Sequence, residues 1–126
     1  MSVTLRLSLP ADAQAPRAAR AALRGLHCLD DGVRATATLL LSELVTNAVR
    51  HAGLRADEEI DVTIAVGDGV RVAVADGGPG FVHDLAARAG RPDGGRGLFL
   101  VDLLATRWGV DRGACARVWF ELDGVG

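Results

Sequence analysis

Glu43 and Asn47 stand four residues apart in the run Ser42-Glu43-Leu44-Val45-Thr46-Asn47-Ala48-Val49-Arg50-His51. On a helix this spacing puts the carboxylate and the amide on one face, a single turn apart. Ala37, Leu41, Leu44, Val45, Ala48 and Ala52 recur at helical spacing as one apolar arc. Glu43 and Asn47 flank that arc, with Leu40 and His51 between them and the core. An amide oxygen at the edge of a buried face suits a hard cation such as Mg²⁺, and a carboxylate there can orient or deprotonate a nucleophile. A solvated glutamate followed by an unrelated asparagine has the same spacing, so the pair alone leaves both readings open.

Two further elements have chemical potential. Asp76-Gly77-Gly78-Pro79-Gly80 follows an apolar alternating run. A carboxylate at a strand end can accept a hydrogen bond from an exocyclic amine such as that of adenine, and glycines let backbone approach a flat ligand closely. An ordinary glycine turn would look alike. Downstream, Gly94-Gly95-Arg96-Gly97-Leu98 opens an apolar segment. The free N–H groups and positive dipole end of a helix start bind phosphate, although a plain glycine hinge is the competing reading.

The elements that must position these residues are legible from periodicity. Val3, Leu5, Leu7 and Leu9 alternate with polar residues, which predicts a strand ended by Pro10. Pro16 suits a first helical turn, and Ala19, Ala22, Leu23 and Leu26 continue it. Gly25 and the stretch Cys28 to Gly32 read as a loop, and a long helix is expected from about Val33 to Ala52, closed by Gly53. Ile60 to Val66 and Val70 to Val74 alternate around Gly67-Asp68-Gly69, which predicts a hairpin with a three-residue turn. A glycine-rich stretch then runs to Gly95, a helix is expected over about Gly97 to Thr106, and two short strands follow near Arg107 to Asp111 and Arg117 to Leu122. This order predicts one α+β domain over residues 1–126, a two-layer sandwich with a mixed, largely antiparallel sheet and about three helices on one face.

Composition excludes several classes. All fourteen basic residues other than histidine are Arg. Without Lys there is neither a P-loop nor the third-strand lysine of the eukaryotic-type protein kinases. A D-x-G-x-G loop also occurs in S-adenosylmethionine-dependent methyltransferases. There it follows the first strand of a parallel sheet, whereas here it follows a hairpin and leaves too little chain for such a sheet. A net charge of −2 gives no reason to expect nucleic-acid binding. No apolar run reaches membrane-spanning length, and the alternating first residues do not form a signal peptide, so a cytoplasmic protein is expected. Cys28 and Cys115 are then expected to be reduced thiols. His27 and His83 read as surface or loop residues, and Trp108 and Trp119 as packing.

Together and in this order, the three elements resemble the N, G1 and G2 boxes of the GHKL (Bergerat-fold) ATPases. The 42–51 run, Arg107-Trp108-Gly109-Val110 and Val118-Trp119-Phe120-Glu121-Leu122 are similar to the small anti-sigma-factor serine/threonine kinases of bacteria. The resemblance covers nearly the whole chain and implies ATP and Mg²⁺ as ligands. It implies Glu43 as catalytic base and Asn47 as Mg²⁺ ligand, with Arg50 and His51 facing the nucleotide. Asp76 would hold the adenine amine, Gly78 and Gly80 would shape its pocket, and Gly95, Arg96, Gly97 and Leu98 would form the phosphate-binding turn. Residues 81–94 would be the ATP lid, predicted to be mobile without nucleotide and ordered by the γ-phosphate through Arg88, Arg91 or Arg96. Implied partners are a STAS-like anti-sigma-factor antagonist as substrate and a sigma factor. The relatives commonly dimerise, so the resemblance admits a homodimer without fixing one. One element departs: where the relatives carry Lys-Thr before the last strand, this chain has Ala116-Arg117. That favours a second reading, an ATP-binding regulatory module acting through protein contact.

Overall fold

The computed structural model describes residues 2–51, 59–75, 96–112 and 116–124, with backbone alone at 51, 96, 97, 112 and 116. The described elements are β1 (Val3–Pro10), α1 (Ala15–Arg24), α2 (Asp31–His51), β2 (Glu59–Val66), β3 (Gly69–Ala75), α3 (Arg96–Leu104), β4 (Arg107–Arg112) and β5 (Ala116–Asp123). The five strands form one sheet in the order β1-β2-β3-β5-β4, with every neighbouring pair antiparallel. The predicted class, a two-layer α+β sandwich with a largely antiparallel sheet, is the observed one.

Alternation decides which face is covered. Ile60, Val62, Ile64 and Val66 of β2, Val70, Val72 and Val74 of β3, and Val118, Phe120 and Leu122 of β5 are buried. They join Leu23 of α1, Leu40, Leu41, Leu44 and Val45 of α2, and Leu98 and Val101 of α3 in one core. The other face carries the intervening residues, among them Asp61 and Thr63 of β2, Arg71 of β3, and Trp119 and Glu121 of β5. There Gly109 lies opposite Trp119, and a Cβ at Gly109 would come within 2.8 Å of the indole. The missing side chain lets Trp119 lie across β4, with the Arg71 guanidinium 4.2 Å from its ring centre.

Boundaries differ from the sequence reading where local chemistry overrides composition. α2 starts at Asp31 rather than Val33 because Asp30 caps it. The Asp30 carboxylate accepts from the N–H of Gly32 at 3.0 Å and of Val33 at 3.4 Å, which satisfies two orphan donors. The hairpin turn is Gly67-Asp68, and Gly69 is the first residue of β3. There a Cβ would sit 2.5 Å from the Leu122 carbonyl oxygen, so glycine serves the contact with β5 rather than the turn. α3 runs from Arg96 to Leu104, starting one residue and ending two residues earlier than expected. Ala105 and Thr106 then join it to β4, with the Thr106 N–H donating to Glu121 O at 2.8 Å. Arg107 bonds both Glu121 (3.1 Å) and Asp123 (2.5 Å). Its guanidinium pKa is raised above the ordinary value, first by the hydrogen bond to Asp123 and then by that to Glu121.

Cys28 is an exposed free thiol, while Cys115 lies outside the described residues. Among the described residues no helix is long and apolar enough to cross a membrane.

Candidate functional site

α2 runs the length of the sheet, and its direction is fixed at both ends. Near its start, the Val33 side chain lies 3.9 Å from where a Cβ of Gly124 would be, just past the end of β5. Its last residue, His51, stands eight positions before Glu59, the first residue of β2. The helix therefore passes from the end of the sheet that holds the β2–β3 hairpin to the opposite end. That opposite end is where β2 starts, β3 stops at Ala75 and β5 begins, with Ala75 paired to both Asp61 and Arg117. The chain leaves β3 there, at Ala75, directly before Asp76. α3 finishes at the hairpin end, where Ala105-Thr106 lead into the start of β4. Its first turn, Arg96-Gly97, lies at the helix's other end, about 12 Å from its last residue.

Within α2, Ala37, Leu40, Leu41, Leu44, Val45 and Ala48 are fully buried. Asn47, one turn beyond Glu43, is the buried polar residue among those described, at 9% exposure. Glu43 is half-buried and Arg50 exposed. The arrangement is thus a carboxylate and a largely buried amide on the flank of the core-facing stripe. Ser42, just before Glu43, accepts a 2.9 Å hydrogen bond from Arg20 of α1, which ties the two helices together beside the pair. Leu98 is buried beneath the first turn of α3 and seats that turn on the core. Leu40, expected between the pair and the core, is itself at the centre of the core.

Asn47 is suited to Mg²⁺ on chemical grounds, because a neutral oxygen donor held by a packed helix is the kind of ligand this hard ion takes beside phosphate oxygens. Asp76, Gly78, Gly80, Gly95 and the expected lid at 81–94 lie outside the described residues, as does Ala52. For His51, Arg96 and Gly97 the backbone alone is described, at the end of α2 and the start of α3. Arg117, at the departing position, is on the uncovered face of the sheet and 3.6 Å from Asp111. A hollow of about 530 Å³ on that face is lined by Arg6, Ser8, Asp61, Thr63, Ala73 and Arg117. It contains none of the motif residues and is not assigned their chemistry.

Sequence reasoning missed the tie between Trp108 and Asp102, where the indole Nε1–H donates to the carboxylate at 2.8 Å. A tryptophan shortly after a helix is a weak signal for it, because six residues across a helix–strand junction have no fixed spacing rule.

The chain matches the histidine kinase-like ATPase domain family over residues 9–121, and it belongs to that family. This places it among the GHKL ATPases that its three motifs resemble. Its fold is also similar to part of the structure of the RsbU and RsbW domains of Rv1364c from Mycobacterium tuberculosis, with a TM-score of 0.72 and 23% identity over 98% of this chain. The chain spans about a third (32%) of that protein's chain. No curated protein matches it by sequence.

Proposed function

We infer that residues 1–126 act as one domain that binds ATP with Mg²⁺ and transfers the γ-phosphate to a serine or threonine hydroxyl of an anti-sigma-factor antagonist. When that antagonist is phosphorylated, the domain holds a sigma factor. The observation that carries this reading is the placement of Glu43 beside a buried Asn47 on the core flank of α2, within a chain matched to the ATPase family over residues 9–121. The likeness to a structure containing an RsbW domain supports the anti-sigma class of partner.

In this mechanism Asp76 accepts the adenine amine, and Gly78 and Gly80 leave room for the ring. The N–H groups of the first α3 turn, with Arg96, Arg50 and His51, face the phosphates. Mg²⁺ held by Asn47 would supply neutralisation of phosphate charge. Glu43 takes the proton from the substrate hydroxyl as its oxygen bonds to the γ-phosphorus. The bond from that phosphorus to the β–γ bridging oxygen breaks, and ADP leaves. Residues 81–94 serve as the lid over the phosphates.

Asn47→Ala should weaken Mg²⁺-dependent ATP binding and stop transfer, while leaving Mg²⁺-independent binding of ADP within about twofold. Titration with and without Mg²⁺ checks this. An equal loss under both conditions would remove Asn47 from the metal site.

Ala116 and Arg117 favour a second reading, in which nucleotide orders a surface and partner contact is the function. Incubation with labelled ATP and the antagonist encoded nearest its gene separates the two. Labelled phosphoserine or phosphothreonine is the result expected here. Tight ATP binding with no transfer to any candidate antagonist would favour the binding module.

A further inference from the structure

Among the described residues α3 has few polar ties to the rest of the fold. It seats Leu98 and Val101 in the core and packs Leu100 against it, while Phe99, Asp102, Leu103 and Leu104 face solvent. These apolar contacts select which face of the nine-residue helix is buried, but being non-directional they leave its fine rotation about its axis to directional bonds. Among the described residues one side-chain hydrogen bond supplies direction: Trp108 Nε1–H to Asp102 Oδ1, 2.8 Å. Trp108 is itself well fixed. It lies on the helix side of β4, packed against the core and paired in register with Phe120, which is fully buried. The β4 segment that carries it is pinned by Arg107 to Glu121 and Asp123, and by the Thr106 hydroxyl, which accepts from Asp123 N–H at 3.0 Å. Asp102 lies six residues, about 9 Å of helix, beyond Arg96. A short helix moves as a rigid rod, so a rotation at Asp102 is carried to its first-turn N–H groups.

We propose that Trp108 and Asp102 are positioning residues for phosphate recognition: their hydrogen bond sets the rotation of α3 and thereby the aim of its first turn. This rests on the nucleotide-binding reading above and adds a determinant that does not touch the nucleotide. The bond is at the surface, so breaking it leaves both groups to water, with no buried charge. Its loss should therefore act on geometry more than on folding.

The test is competition of ATP and of adenosine against a fluorescent ATP analogue, in the parent chain and in Asp102→Ala, Trp108→Phe and Asp102→Asn, each checked for parent-like circular dichroism. Asp102→Ala and Trp108→Phe should weaken ATP by about two- to tenfold, the span of one net hydrogen bond, and leave adenosine unchanged. Asp102→Asn retains an oxygen acceptor and should bind ATP within about twofold of the parent. An unchanged ATP-to-adenosine ratio in Asp102→Ala and Trp108→Phe would overturn the proposal while leaving nucleotide binding intact. So would Asp102→Asn behaving like Asp102→Ala, because charge and not the bond would then be responsible. A parent that binds no ATP would remove the underlying reading as well.

Discussion

Glu43→Ala should lower phosphoryl transfer by about 10²–10⁴, the usual scale for a positioned general base, with ATP affinity nearly unchanged. Alanine is the best helix former, so α2 loses nothing in propensity. Glu43 is half-buried, so its removal opens no large cavity. The core stripe of Leu40, Leu41, Leu44 and Val45 remains in place, and with it the seat of Asn47. Single-turnover transfer of labelled phosphate, alongside an ATP binding isotherm, checks both halves. A variant that transfers as fast as the parent removes Glu43 from the base role.

The second large effect is structural. Phe120→Ala should destabilise the fold by about 3–5 kcal/mol, the cost of deleting a buried ring and leaving its cavity. Against a typical domain stability of about 5–15 kcal/mol this is severe, and it should lower Tm by about 10–20 °C. The chain has three Phe and no Tyr. Phe99 is exposed and Phe81 lies outside the described residues, so Phe120 is the large ring at the core's centre. It lies on β5 between Val72 of β3 and Trp108 of β4, where aliphatic neighbours cannot collapse into the space of a ring. Chemical denaturation reads the loss. A change under 1 kcal/mol would mean that the core does not centre on β5.

The difference between these two residues shows what could be read from sequence. Phe120 and the strands around it follow from alternation, because one sheet face must be dry and the other wet. The same rule predicts β1 and both hairpin strands, and helical spacing predicts the buried face of α2 from Ala37 to Ala48. What escaped was chemistry without period. Asp30 sits in a stretch that looks like a turn, yet its carboxylate extends α2 by two residues. Gly69 reads as a turn glycine because its neighbours are Gly67 and Asp68, but its place is set by the Leu122 carbonyl more than fifty residues away. Asp102 and Trp108 meet only because a two-residue junction folds α3 back beside β4. For the site, the Glu43–Asn47 spacing was readable, since both lie on one helix. The depth of Asn47 was not, because it depends on how α2 rests against the sheet.

The most direct test of the whole account is thermal unfolding of the chain with and without ATP and Mg²⁺, in the parent and in Asp76→Ala. A ligand that binds only the folded state stabilises it by RT ln(1 + [L]/Kd), about 2.7 kcal/mol at a hundredfold excess over Kd. The account predicts a rise of Tm in the parent that grows with ATP concentration. In Asp76→Ala most of that rise should be lost, because the adenine amine has lost its charged acceptor. A parent whose Tm is unmoved by millimolar ATP and Mg²⁺ would contradict the account at its centre, and equal shifts in the two proteins would remove Asp76 from the adenine site.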